Sequence, residues 1–328
     1  MSEGRGKGDW LTYRPDIKVL DCTVRDGGLI NSHHFDDDFV KAVYDANVAA
    51  GVDYMELGYK GDKAIYSPAK NGPWKHCDED VLRRIVGDNP TDLKLAVMAD
   101  AERTHYKRDI LPKSESVIDL IRVACYIHQV PLALDMVKDA TDKGYEVMLQ
   151  LMAVSAVAES DLDKALAVAA QSEASGVYIV DSFGSLYSEQ IRALTLKYTR
   201  AFEGTGKEVG IHAHNNRQLA FANTIEAIIN GASRVDATFA GIGRGAGNCP
   251  MELILGFLHN PKFMMRPVLE CTRRIFTPLA KELDWGYSIP YALTGQLNRH
   301  PRSAIEFRAG NDPDDYVAFY DRLMEEDS

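Results

Sequence analysis

Short apolar or β-branched runs recur along this chain, with helical stretches between them. There are eight: residues 18–22, 54–57, 93–98, 120–124, 145–151, 177–180, 209–212 and 234–238. Several follow a helix that ends in glycine, as in NVAAGVDYMEL, ATDKGYEVML, SEASGVYIVD and IINGASRVDA. Glycine at a helix C-terminus followed by a strand is the expected αβ turn. Eight strands alternating with helices over about 220 residues predict an α/β fold of the (β/α)8 TIM-barrel type, with a doubly wound sheet as the competitor. The residues that follow the strands favour the barrel. Arg25-Asp26, Tyr59-Lys60, Asp100, Tyr126, Asp181-Ser182 and His214-Asn215 would all gather at one mouth, where barrel enzymes keep their chemistry. Past residue 265 the rhythm stops. The chain therefore divides into a polar, Gly-rich N-terminal tail (1–16), a barrel (17–265) and a C-terminal helical extension (266–328).

Composition narrows the class of partner. A 328-residue chain with 45% hydrophobic and 26% charged residues is ordinary for a soluble globular protein. A formal charge of -11 argues against nucleic acid or an anionic membrane as partner. It leaves room for an anionic small molecule, because a site can be locally positive. The five cysteines are scattered with no paired spacing, which favours a reducing compartment. No secretory or long apolar segment is evident, so a cytoplasmic location is expected.

Three short segments carry candidate chemistry. In IHAHNN, His212 and His214 alternate along a strand and so share a face. Two imidazoles can grip a divalent cation but need a third ligand. DCTVRDGG offers Asp26 as a hard oxygen donor and Arg25 as a planar cation for a carboxylate or enolate, with a surface salt bridge between the two as the bland alternative. AGIGRGAGNCPMEL is a glycine-rich turn opening a helix, and its Asn248 could add an amide oxygen or orient a ligand. One Asp with two His makes an open mixed site suited to a catalytic ion, and the absence of cysteine ligands disfavours structural zinc.

Together, DCTVRDGG, IHAHNN and GIGRGAGN resemble, in order and separation, the DRE-TIM metallolyase superfamily, closest to enzymes of the 4-hydroxy-2-oxovalerate aldolase type. YMELGYKG, IRVAC and YIVDSFGSL add supporting matches. The resemblance spans roughly residues 17–260. It implies a TIM barrel holding a divalent ion, usually Mn or Mg, that cleaves or forms a C–C bond beside a carbonyl. Asp26, His212 and His214 would ligate the ion, with Asn248 a possible fourth, and Arg25 would stabilise the enolate. The implied substrate is a small 2-oxo acid, with a homo-oligomeric state expected.

Two departures from the family pattern matter. The condensing synthases carry Glu-Gln after their RDG and a GxGERxGN loop, whereas this chain has Gly28-Leu29 and Gly243-Arg244-Gly245. An acyl-CoA-dependent Claisen synthase is thus the disfavoured alternative, and a non-catalytic barrel subunit a further one. The aldolases carry a His where this chain has Leu29. Candidates to replace that base are His33 and His34, preferred, then Tyr59, Lys60 and Tyr126. Glu56, Asp181 and Ser182 are expected to support or touch substrate. Tyr287, Tyr291 and Asn298-Arg299-His300 are weighed as elements that reach back to the mouth, and Cys249 reads as a structural thiol.

Overall fold

The computed structural model describes Arg14 and residues 16–326; most of the expected N-terminal tail lies outside the described residues. Eight parallel strands close a barrel in chain order. They are β1 (Lys18–Asp21), β2 (Tyr54–Tyr59), β3 (Lys94–Asp100), β4 (Leu120–Cys125), β5 (Glu146–Leu151), β6 (Gly176–Asp181), β7 (Glu208–Ala213) and β8 (Arg234–Ala237). All eight expected runs are strands, shifted by one or two residues at their ends. The helical layer is less regular than expected. After β3 it shrinks to a single turn, Tyr106–Asp109, while full helices such as Asp37–Ala50, Val130–Asp142 and Ser188–Ala201 flank other strands. The acidic FDDDF segment starts a helix, with the Asp36 side chain accepting from the Phe39 amide at 2.7 Å. Gly51 and Gly231 take the left-handed conformation expected at the αβ turns. Gly176 differs: it is the first residue of β6, where a Cβ would meet the Glu208 carbonyl at 2.3 Å.

Alternate strand positions build two separate layers of packing. Val19, Met55, Leu95, Ile121, Val147, Val177 and Val235 face the helices in the main core. Leu20, Tyr54, Ala96, Leu120, Met148 and Tyr178 fill the barrel axis instead. At its N-terminal end this plug is closed by charge: Lys18 donates to Glu208 at 2.9 Å and Arg234 Nε donates to the same carboxylate at 2.7 Å. Toward the C-terminal end the axis positions turn polar: Glu56, Arg122, Gln150, His212 and Asp236 are all buried. The mouth above them is where the loops meet. The expected C-terminal extension is helical, with helices at Met265–Cys271, Ile289–Gln296, Arg302–Arg308 and Tyr316–Glu325. No helix among the described residues is long and apolar enough to cross a membrane.

Candidate active site

A five-residue helical turn, Thr23–Gly27, follows β1 and buries both Arg25 and Asp26 at the mouth. Register places His212 two residues before His214, where β7 runs out beside β6 and β8, so both imidazoles face the same space. Their rings are 5.0 Å apart and nearly perpendicular. Asp26 Oδ2 lies 3.5 Å from His212 Nε2 and 4.0 Å from His214 Nε2. Donor atoms of the three residues fall within 4.8 Å of one another, the spacing a divalent ion needs.

The donor set fits such an ion on several counts. His212 Nε2 and Asn248 Oδ1 are buried and lack any hydrogen-bond partner among the described residues. Buried polar atoms are rarely left so, because each forfeits its hydration. A Cβ at Gly243 would come 2.0 Å from Asn248 Nδ2 and 2.7 Å from Asp26 Oδ1, which brings the Asn248 amide beside the carboxylate. Burial by itself would raise the Asp26 carboxyl, but Arg25 and the two imidazoles outweigh it and hold Asp26 well below the usual carboxylate range. Burial drives His214 far below its ordinary value, so its ring is neutral and free to ligate. Open coordination by one carboxylate and two imidazoles suits a catalytic divalent ion.

Beneath the donors runs a closed ring of six buried side chains. Asp26 pairs with Arg25, and Arg25 Nε donates to Glu56 Oε2 at 2.7 Å. Arg122 Nη1 donates to that same oxygen at 2.8 Å, while its Nη2 reaches Asp236 Oδ2 at 2.5 Å. Asp236 Oδ2 accepts from His212 Nδ1 at 2.9 Å, and His212 returns to Asp26. The Asp236 contact fixes the His212 tautomer with Nε2 facing the donor space, the usual device for orienting a metal-binding imidazole. Burial opposes a charged His212, but Asp236 and Asp26 overcome it and raise its pKa. Arg122 and Asp236 were not singled out from sequence. The available signal was a charged residue in phase with the axis-facing positions of an otherwise apolar strand.

The mouth forms a cavity of about 400 Å³. Arg25, Asp26, His33, Ser182, His212 and His214 line it, which gathers most of the expected residues. Four do not line it: Asn248 stands beside Asp26 behind the Gly243 turn, and the other three turn elsewhere. Glu56 lies under Arg25, fully buried, and acts on the site only through that guanidinium. The Asp181 carboxylate turns back to accept from the Ser185 amide at 3.0 Å and the Leu186 amide at 3.2 Å, so it shapes the β6 loop. Exposed His34 points to the Lys70 carbonyl at 3.3 Å. His33, by contrast, is only 3% exposed, stands edge-on to Tyr59 at 5.3 Å, and is driven by burial to a pKa of about 3. Lys60 turns away to the Cys77 carbonyl at 2.7 Å, whereas Tyr59 and Tyr126 line the cavity. Cys249 is a fully buried thiol. His300 reaches the mouth and meets Arg244 at 3.3 Å, while Tyr287 is exposed and Tyr291 packs in a neighbouring pocket against Gly245. Lys75, Arg103, Arg244 and Arg302 also line the cavity and were missed, because loop residues carry no periodic signal of where they point.

The chain is 35% identical over 252 residues to an oxaloacetate decarboxylase of Mycobacterium tuberculosis, covering 75% of this chain and 71% of that protein. It is 30% identical over 241 residues to 4-hydroxy-2-oxovalerate aldolase 3 of Rhodococcus jostii, covering 74% and 70%. Among solved structures, hydroxymethylglutaryl-CoA lyase of Pseudomonas aeruginosa superposes with a TM-score of 0.65 at 16% identity, covering 81% of this chain and 94% of that one, a likeness of fold alone. The model of the HMGL-like family matches residues 16–271, and the chain belongs to that family.

Proposed function

We propose that this protein is a divalent-metal-dependent carbon–carbon lyase that splits a 4-hydroxy-2-oxo acid into pyruvate and an aldehyde, and joins them in reverse. The observation that carries the reading is the buried guanidinium of Arg25, fixed by Glu56 and Asp26 beside the Asp26/His212/His214 donor set. A Mn or Mg ion held there, with Asn248 as a further oxygen donor, supplies Lewis acidity to the carboxylate and ketone of a 2-oxo acid.

The residues supply the rest. Arg25 is preorganised where negative charge develops on the C2 oxygen, and such charge stabilisation is commonly the largest single contribution to catalysis. His33 is the base. Its ring is neutral above about pH 3 and lies in the cavity. It folds over Gly28, where a Cβ would come 2.3 Å from its Nδ1, so the bare glycine makes room for it next to Leu29. His33 takes the proton from the C4 hydroxyl, and C4 becomes the aldehyde carbonyl. The C3–C4 electron pair moves into the enolate, whose C3 then accepts a proton to give pyruvate. Ser182 orients the mouth by accepting the Ala153 amide at 2.8 Å and offering its carbonyl to Arg244.

Oxaloacetate decarboxylation, the activity named for one relative, breaks the same bond and forms the same enolate. It needs no base for a hydroxyl, so the buried His33 favours the aldol reading. The test is pyruvate release from 4-hydroxy-2-oxo acids and from oxaloacetate, with Mn, with Mg and after chelation. Metal-dependent pyruvate from the hydroxy acids, lost in Asp26→Asn and His212→Ala, is expected. Release from oxaloacetate alone replaces the aldolase reading with decarboxylation, and no release from either ends both.

A further inference from the structure

Strand order sets the direction in which a bound substrate extends. The metal donors lie on the β7–β8–β1 arc of the mouth, whereas the loops after β2 and β3 rise on the next arc of the barrel wall. Those two loops present Lys75 and Arg103 to the cavity. Lys75 is 5% exposed, and its ammonium sits between two rings, 3.8 Å from the Tyr59 centroid and 4.0 Å from that of Tyr66. Aromatic faces attract a cation but accept no strong hydrogen bond. Among the described residues no carboxylate or carbonyl pairs with this nitrogen. Burial lowers its pKa to about 8, a fall that the nearby Asp100 carboxylate offsets only in part. Arg103 donates to the Tyr66 hydroxyl at 3.1 Å and feels the Asp100 carboxylate as well, with no ion pair at contact distance among the described residues.

The cavity as a whole has the same imbalance. Five cationic side chains line it, Arg25, Lys75, Arg103, Arg244 and Arg302, against the carboxylates of Asp26, Asp100 and Glu102. This excess stands in a chain of net charge -11. A 2-oxo acid with one carboxylate, placed at the metal donors and Arg25, leaves Lys75 compensated only in part, by Asp100. Arg244 is a weaker candidate for a distal anion, because its guanidinium is already engaged by the Ser182 carbonyl and His300.

We propose that Lys75, clamped by Tyr59 and Tyr66 and assisted by Arg103, is a subsite for a second carboxylate at the far end of the substrate, so that this lyase acts on 2-oxo dicarboxylic acids. The inference rests on the lyase reading for the placement of the first carboxylate, but its test is a binding measurement and needs no turnover. Pairs of acids equal in chain length and differing only in the distal group isolate the subsite: 2-oxoglutarate against 2-oxopentanoate, and 2-oxoadipate against 2-oxohexanoate. Calorimetric titration of the Mn-loaded full chain is expected to show the dicarboxylate binding tenfold or more tighter in at least one pair, the size of one charge-assisted hydrogen bond in a sheltered site. Lys75→Met is expected to bring that ratio below twofold with little change in affinity for the monocarboxylate. Arg103→Gln, at an exposed position, is expected to reduce the ratio about threefold. Equal binding within both pairs overturns the proposal, as does a Lys75→Met protein that keeps the preference or weakens both acids alike. Failure of both dicarboxylates to bind overturns it too. Absence of pyruvate release with a preserved Lys75-dependent ratio sinks the lyase reading and leaves the subsite standing.

Discussion

Replacing Asp236 by asparagine keeps the side-chain volume and removes one buried charge whose Oδ2 serves two partners, His212 Nδ1 at 2.9 Å and Arg122 Nη2 at 2.5 Å. An amide can turn its oxygen to these donors, but without the charge that holds His212 in one tautomer. Loss of a carboxylate behind a ligating histidine typically weakens metal binding 10- to 100-fold, equivalent to about 1.4–2.7 kcal/mol. The fold should suffer as well. Arg122 keeps Glu56 at 2.8 Å and Gln150 at 3.0 Å, so it is not stranded. The stability loss should be about 2–3 kcal/mol, below the 3–5 kcal/mol of a buried charge left wholly unpaired. The assay is calorimetric titration with Mn, run beside urea unfolding of the metal-free protein. Asp21→Asn is the control: Asp21 is equally buried but is held by Thr23 and Asn47, with no hydrogen bond to the histidines. If Asp236→Asn unfolds more easily yet binds Mn as tightly as the parent, Asp236 braces the barrel without orienting His212.

Three further outcomes follow from the same geometry. His33→Gln should lower pyruvate formation about 10²- to 10⁴-fold, the usual worth of a positioned base, while His34→Gln stays within twofold; equal effects in a steady-state assay would remove His33 from its role. Gly243→Ala places a methyl 2.0 Å from Asn248 Nδ2 and 2.7 Å from Asp26 Oδ1, so metal titration should show a loss of affinity with circular dichroism unchanged, and parental Mn affinity would refute the packing at this corner. Burial raises Asp21 to about 7, so between about pH 4 and pH 7 the folded state binds more protons than the unfolded one and stability falls as pH rises. Urea unfolding should show the parent losing roughly 2 kcal/mol more than Asp21→Asn between pH 5 and pH 7, and equal slopes would place the Asp21 pKa near its ordinary value.

The strands were legible because their sequence signal is local. Runs such as EVMLQL and GVYIVD keep their apolar positions whatever they pack against. The donor triad was legible for a related reason: HxH on one strand fixes two donors relative to each other, and the Arg-Asp turn after β1 fixes the rest. Arg122 and Asp236 are different, since their meaning depends on a register between β4 and β8, which lie on opposite sides of the barrel. Lys75, Arg103 and Arg302 lie on or beside loops, where backbone direction comes from contacts such as the Gly61 amide to the Lys75 carbonyl at 2.9 Å and leaves no periodic trace. His34 and His33 are adjacent, and only the left-handed backbone at Ser32 and His33 sends one ring inward and leaves the other in solvent. Glu56 and Asp181 sit where a substrate contact was expected, yet stronger internal donors hold them, Arg25 and Arg122 in one case and two loop amides in the other.

Charge explains why Arg25 and Asp26 are not the surface salt bridge that their sequence alone allows. They are 4% and 0% exposed, and burying a bare ion pair commonly brings no net stability. The ring that contains them holds two guanidinium groups and three carboxylates, so above the raised pKa of His212 it carries one net negative charge in a buried place. A divalent cation on the Asp26/His212/His214 donors inverts that sign and leaves the site ready for an anion beside Arg25. Cation and 2-oxo acid then stabilise one another's binding, and reciprocity requires the coupling to read the same from either side. The metal-free protein should therefore bind 2-oxo acids weakly in spite of its cationic cavity, because the charge nearest the reacting carbon is the ring's own.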